Sequence, residues 1–385
     1  MKSLYYRTQN VSSRALIWIA AITLVALLML RQWPVRTSEW ERERMLEASY
    51  RTEAAFDAIA CRRVDLGQQM LRSQDPNETG MLGPSMSLVT TLPGHLDAKL
   101  TSINPNFAAV TVRLLLDAGI QRGDCVAIGM TGSFPALNIS VLQACESLDL
   151  RPLIVSSAAS SQFGANDPGM MWPDMEKILY DEGMINQRSL LTSPGGFRDA
   201  AAGMSEDTQK LLYDSIARNK ARLLRCETLE ESVDKRMEAF FRSAENETIK
   251  AYINVGGGAA SVGGTEGNDL WGSGLILPDV LQTMDEEVDC VATRFLKRDV
   301  PLINMVHSVS MAKRYQLVIA GATPPIVGEG TVYESAAYRR WLALLGIVMI
   351  LVTTWFAVKP PPAFTNLLQR SRSWSEKNEK PQWMV

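Results

Sequence analysis

The sequence predicts an α/β fold: a mostly parallel sheet with helices on both faces, flanked by two transmembrane helices. Three observations predict it. Two uncharged apolar runs, ALIWIAAITLVALLML (15–30) and WLALLGIVMILVTTWFAV (341–358), are each about long enough to cross a bilayer. Between them, short apolar runs alternate with amphipathic helical stretches, the pattern of a parallel sheet covered by helices. Three segments that follow such runs are rich in Gly, Ser and Asn, and an open parallel sheet binds its ligands just past the carboxyl ends of its strands.

The first apolar run ends in LMLRQW, which lacks the small residues of a signal-peptide cleavage site and reads as an uncleaved anchor. The second lies between Arg339-Arg340 and Lys359. Two spans put both termini on one side. The tails hold eight of the 39 basic residues and two of the 42 acidic ones, leaving 31 basic and 40 acidic residues in 31–340, a balance of −9. Positive tails stay inside. The expected order is a cytoplasmic tail (1–14), a transmembrane helix (15–31), a stalk helix and loop (32–90), an extracytoplasmic α/β domain (91–338), a second transmembrane helix (341–358) and a disordered cytoplasmic tail (359–385).

Within the middle part, 38–74 is charged and helix-compatible, with Ser38 as N-cap, and 75–105 reads as loop. FAAVTVRLLLDAG is a helix ending at Gly119, CVAIGM (125–130) a buried strand, and PALNISVLQACESL (135–148) a helix with Leu137, Val141 and Ala144 or Cys145 on one face. PLIVSS (152–157) is a second strand, followed by a helix at 172–182, one capped by Ser205 and running to 219, and a short strand at 221–224. T-x-x-E at Thr228–Glu231 is a capping box before a helix with Val233, Met237 and Phe240 in phase. Strands at 251–255 and 301–305 complete a Rossmann-like series.

The chemistry gathers in three loops. The first, IGMTGSFPALNIS (128–140), offers Thr131, Gly132, Ser133 and Asn138; the second (156–167) Ser156, Ser157, Asn166 and Asp167; the third (254–264) Asn254, Gly256, Gly257 and Gly258. Glycines allow close backbone approach, and free N–H groups at a helix start attract anions. The first loop lacks G-x-G-x-x-G, and the second strand ends in Ser156-Ser157 where an acidic residue would hold a ribose; no Gly-Lys-Ser/Thr follows either. No nucleotide or other cofactor is expected. Ser133 reads as a nucleophile, as part of an anion cradle, or as part of a tight turn. As a nucleophile it needs a base: His95 or His307 with Asp97, Asp167 or Glu176 as orienter, or Lys99 in a serine–lysine arrangement. G-x-S-x-G is absent.

The five cysteines are irregularly spaced, His95 and His307 are the only histidines, and C-x-x-C and H-x-x-x-H are absent. Neither a disulfide framework nor a protein-built metal site is expected. The −9 balance excludes a general polyanion grip and argues against nucleic acid as partner. An acidic ligand is instead held locally, by loop N–H groups with Lys99 and Arg113.

TTLPGHLDAKLTSINPNFAAVTVRLLLDAGIQRGDCVAIGMTGSFPALNISVLQA, SSAASSQFGANDPGMMWPDMEKIL and INVGGGAASVGG together resemble the poly-gamma-glutamate system protein family over about 90–330. The resemblance implies a bacterial cell-envelope protein, associated with machinery that makes or exports poly-γ-glutamate, a capsule-type polymer. Its implied partners are the membrane, the polymer chain and other subunits of the synthase complex. It carries over no catalytic residue. His95 and Leu100 depart from the family pattern, which weakens His95 as a base. Three functions follow as expectations: an accessory subunit that binds the γ-glutamyl chain through the three loops, a serine-type γ-glutamyl amidase or transpeptidase, or a scaffold of the synthase.

Overall fold

The computed structural model describes residues 13–32, 34–35, 37–283, 288–334, 337–338 and 340–358. Of the expected cytoplasmic tails, 1–14 and 359–385, residues 1–12 and all of 359–385 lie outside them. The chain divides into two units, 37–334 and the pair 1–36 with 335–385.

In the larger unit, six strands form one sheet: β1 (Cys125–Thr131), β2 (Arg151–Ser157), β3 (Leu191–Ser193), β4 (Ile249–Val255), β5 (Gly274–Ile276) and β6 (Leu302–Met305). Their order is β3-β2-β1-β4-β6-β5, parallel throughout except for β5 against β6. β1 is central. The chain steps outward from it to β2 and β3, then returns to its other side for β4. The order therefore reverses between β1 and β4, the switch point at which open α/β sheets take ligands.

The helices are α1 (Glu39–Asp65), α2 (Leu96–Ser102), α3 (Phe107–Asp117), α4 (Pro135–Ser147), α5 (Trp172–Asp181), α6 (Glu206–Arg218), α7 (Leu229–Ala244), α8 (Ala259–Val262), α9 (Gly264–Trp271), α10 (Val291–Leu296) and α11 (Ser308–Tyr315). Their starts follow local chemistry. Ser38 and Glu41 close a capping box on α1, with Glu41 N donating to Ser38 Oγ at 3.2 Å and Ser38 N to Glu41 Oε2 at 3.1 Å. Pro135 opens α4, where a missing N–H costs nothing. Thr228 caps α7, but the Glu231 carboxylate takes the N–H of Glu227 at 2.7 Å.

Strand alternation divides the core. Val126, Ile128 and Met130 face Phe56 of α1, Phe107 of α3, Leu137 and Val141 of α4 and Trp172 of α5. Cys125 and Ala127 face the opposite layer, with Val233, Met237 and Phe240 of α7 and Phe295 of α10. There the Tyr252 and Phe295 rings stack at 5.0 Å. Each fully buried Val, Leu, Ile, Phe or Met side chain here contributes about 1.5–3 kcal/mol.

The structure departs from the sequence reading in four places. α1 ends at Asp65, before Gly67, rather than near 74. α2 forms inside the expected loop. β3 and β5 have three residues each, too few for alternation to be legible. Residues 221–224 give only a bridge from Leu223 to Thr192.

The smaller unit holds an N-terminal helix, Ser13–Gln32, packed on a C-terminal helix, Arg340–Val358, and an antiparallel pairing of Pro34–Val35 with Ala337–Tyr338. A Cβ at Gly346 would lie 3.3 Å from that of Ala26, so the helices approach closely there. Among the described residues, no helix is long and apolar enough to cross a membrane. The described side chains of the pair are those of 16–30, Gln32 and 341–356. Trp18, Leu24, Leu28, Trp341, Leu344 and Leu351 are all exposed, each by more than half.

Candidate functional site

The three loops meet at the carboxyl end of β1. The turn after β1 is pressed against the 156–167 loop: a Cβ at Gly132 would sit 2.9 Å from the Ala158 carbonyl oxygen, and Ala165 N donates to Gly132 O at 2.8 Å. The third loop folds onto Thr131. Gly256 has φ +86, and a Cβ there would lie 2.2 Å from Thr131 Oγ1, so this position needs glycine both for its backbone and for its neighbour.

Ser133 and Ser161 are half-buried at this junction. Ser161 N donates to Ser133 Oγ at 3.1 Å. Behind them lies Lys99, only 2% exposed. Its Nζ donates to the Ser133 carbonyl oxygen and, at 3.0 Å, to Ser161 Oγ. The Phe134 ring centroid is 3.8 Å from the ammonium. No carboxylate pairs with Lys99 among the described residues. Burial without a counter-charge pushes its pKa down to about 7.

Lys99 arrives there because α2 is amphipathic in an unusual way. Leu96 and Leu100 pack on the core, and Lys99 occupies the same inward stripe at helical spacing. The loop carrying Ser161 is fixed on both sides: Thr91 N donates to Ser160 O at 2.8 Å, and Gln162 N to Leu92 O at 3.0 Å.

Most other expected ligand contacts face inward. Thr131 (6% exposed) bonds the Val255 carbonyl, and Asn138 (0%) gives its Nδ2 to Thr131 O at 2.9 Å. Ser156 joins Thr192 and Ser189, and Ser189 in turn bonds Glu176, a buried carboxyl raised by desolvation. Ser157 is buried at the end of β2. Asn166 Nδ2 reaches Pro84 O and Thr90 Oγ1, and Asp167 accepts from Arg63 at 3.1 Å. Asn254 gives Nδ2 to Gly256 O and Asn304 Oδ1, while its own buried Oδ1 has no partner among the described residues. Gly257 is exposed and Gly258 partly so.

The remaining candidates stand apart from Ser133. His95 and Asp97 are exposed, and no described bond joins either to Ser133. His307 is exposed and 3.3 Å from the Asn268 carbonyl oxygen. Arg113 bonds Thr37 and lies 3.8 Å from Glu41. Among the described residues no cluster of His, Cys, Asp and Glu is placed to hold a metal ion, and the cysteines are free.

Sequence reasoning missed Ser161. Nothing in SSAASSQFGAND separates it from Ser160; the distinction comes from Ser160 Oγ turning back to the Ser161 carbonyl while Ser161 Oγ meets Lys99. Two clefts lie elsewhere, along the β3 edge. One of about 370 Å³ is lined in part by Arg222, Arg225, Lys235, Arg242 and Glu238, with Arg242 paired to Glu238, and a neighbouring one of about 330 Å³ shares Arg225 and Lys235 and adds Glu227 and Glu231.

Compared with protein-family models, curated proteins and solved structures, the chain gives no match.

Proposed function

We propose that the chain is a membrane-anchored accessory component of a poly-γ-glutamate synthesis or export system, and that its 37–334 unit holds the γ-glutamyl chain outside the cytoplasmic membrane. The observation that carries this reading is the donor-rich mouth past the ends of β1, β2 and β4, where Ser133 and Ser161 are half-buried beside Lys99 and the Gly257–Gly258 backbone is at least partly exposed. Hydroxyl and amide donors suit a polymer with a free carboxylate on every unit. The Arg222 and Arg225 cleft offers the same polymer a second, cationic contact.

Anchoring is supported by the apolar side chains exposed on both helices of the smaller unit. The hydroxyls of Thr23, Thr353 and Thr354 also bond carbonyls of their own helices, as apolar surroundings require. Partner subunits of the synthase would meet this protein at the membrane.

The test is the full chain in detergent, titrated with poly-γ-glutamate. Saturable binding that weakens in Ser133→Ala or in Arg222→Glu supports the reading. Binding no stronger than to a neutral polymer of the same length would sink it.

A second reading, a serine-type γ-glutamyl amidase or transpeptidase, is favoured by one specific observation: Lys99 Nζ lies 3.0 Å from Ser161 Oγ. A size assay of the polymer after incubation separates the two, because binding alone leaves chain length unchanged.

A further inference from the structure

We propose that Ser161 and Lys99 form a serine–lysine catalytic dyad for acyl transfer from an amide or ester carbonyl, with Ser133 Oγ–H as hydrogen-bond donor to the carbonyl oxygen. This deepens the enzymatic reading above, and only the identity of the natural substrate rests on it.

The argument begins with placement. Ser161 is half-buried, which leaves part of the residue open to a substrate, while Lys99 lies beside it and is only 2% exposed. The backbone on either side of Ser161 is tied to the 91–92 segment, which holds the nucleophile on a fixed support. Ser133 Oγ accepts the Ser161 N–H, and none of the described bonds uses its own proton. A carbonyl oxygen that enters between the two serines therefore meets a ready donor.

The second line is electrostatic. Lysine is a useful base only when desolvation lowers its pKa. Lys99 is lowered to about 7 by burial alone. The charged groups around it contribute nothing to that shift: His95 and Asp97 on α2 are exposed, as are His307, Lys313 and Arg314 on α11, which packs on α2. Burial thus favours the free amine of Lys99, with a hydroxyl at 3.0 Å as its proton source.

The reaction balances with these groups and water. Ser161 Oγ attacks the carbonyl carbon as its proton passes to neutral Lys99 Nζ, and the oxyanion accepts from Ser133. The C–N or C–O bond then breaks, and the leaving amine or alcohol takes the proton from Lys99. Water attacks the resulting acyl ester with Lys99 again as base. Breakage of the acyl–Oγ bond releases the carboxylic acid and returns the proton to Ser161.

The experiment uses the purified full chain and a fluorophosphonate probe, which a nucleophilic serine displaces at phosphorus with loss of fluoride. Modified peptides are located by mass spectrometry between pH 5.5 and 9. The expected result is one adduct, on Ser161, forming faster as pH rises and levelling above about 7. Ser161→Ala abolishes it. Lys99→Met and Lys99→Arg each slow it by ~10²–10⁴-fold, the usual contribution of a general base. Arginine keeps a cation and its donors but cannot give up its proton, so a Lys99→Arg protein as reactive as wild type would reduce Lys99 to a prop and overturn the proposal. So would an adduct on Ser133 alone, or no adduct on a chain that still unfolds cooperatively. Labelling needs no polymer, so failure of poly-γ-glutamate to bind leaves this result standing, and the reverse holds too.

Discussion

Three cationic side chains are buried among the described residues of the larger unit: Arg63, Lys99 and Arg236. Two of them meet a carboxylate. Arg236 lies 2.6 Å from Asp199, with Ser193 and Ser232 completing its shell, and Arg63 lies 3.1 Å from Asp167. Lys99 meets only a carbonyl, a hydroxyl and an aromatic ring. The contrast follows from chemistry. Arginine cannot shed its proton, so a fold that buries one must bring the opposite charge along. Lysine can, so it tolerates a site without a partner by titrating near neutrality. The Asp199–Arg236 cluster therefore reads as architecture, and the Lys99 mouth as a place where a proton can move.

The largest expected effect breaks the paired side. Asp199→Ala strands Arg236 in the interior and should cost about 3–5 kcal/mol of unfolding free energy. Urea denaturation measures it. A loss under about 1 kcal/mol would mean that the hydroxyls alone satisfy the guanidinium, and the contrast with Lys99 would lose its basis.

The next effect sits on the unpaired side and appears as pH dependence. The folded pKa of Lys99 lies near 7, below its unfolded value of 10.5. Above about 7 the unfolded chain binds the extra proton, so stability rises with pH, by up to ~1.4 kcal/mol per unit, and is lost again as pH falls toward 7. Lys99→Met should remove that rise. Buried acids act oppositely: desolvation raises Cys125 and Cys145 above the ordinary thiol value of 9.0, so their contribution is lost as pH climbs above that value. The informative quantity is the wild-type minus Lys99→Met difference between pH 7 and 9. A flat difference would place the ammonium in water and remove the base from the mouth.

A smaller effect tests whether the third loop belongs to the same structure. Gly256→Ala forces a Cβ against Thr131 Oγ1 at a φ of +86, for a cost of about 1–3 kcal/mol. If the loop supports the mouth, Ser161 labelling falls in the protein that remains folded. Undisturbed labelling would assign Gly256 to β4's connection alone.

These tests fall on features that the sequence disclosed unevenly. The central strands were legible because CVAIGM and PLIVSS are continuous apolar runs between helical stretches. The sheet edges were not, because three residues of β3 or β5 carry no period. Lys99 was visible as a candidate through its chemistry, but its burial was not: LDAKLTS is only seven residues long and lies between Pro93-Gly94 and Asn104-Pro105, where loop is the natural reading. Its i, i+3, i+4 relation to Leu96 and Leu100 was the available signal. Ser161 offered none. Its role depends on which of two adjacent hydroxyls turns toward a side chain 62 positions away, and a single sequence does not encode that locally. Thr131, Asn138, Ser156 and Asn166 show the converse. Their residue types suit ligands, yet the same hydroxyls and amides also close the loops internally.

The smallest stability effect should come from Ser133→Ala, and it sharpens the comparison most. Ser133 Oγ receives a single bond, from Ser161 N, at a half-buried position. Water can replace such an acceptor, so the change should cost under about 1 kcal/mol. Loss of an oxyanion donor is different, because the developing charge has no equivalent partner in the ground state. Labelling of Ser161 should fall at least ~10-fold, with its pH profile unchanged, since Lys99 still titrates. A structural clamp would show the opposite split, with unfolding free energy falling by more than about 2 kcal/mol and the labelling of the surviving folded protein intact. Asp199 and Arg236 are expected to behave in that second way. The two serines of the mouth are expected to separate stability from reactivity, which is the behaviour of residues placed for chemistry.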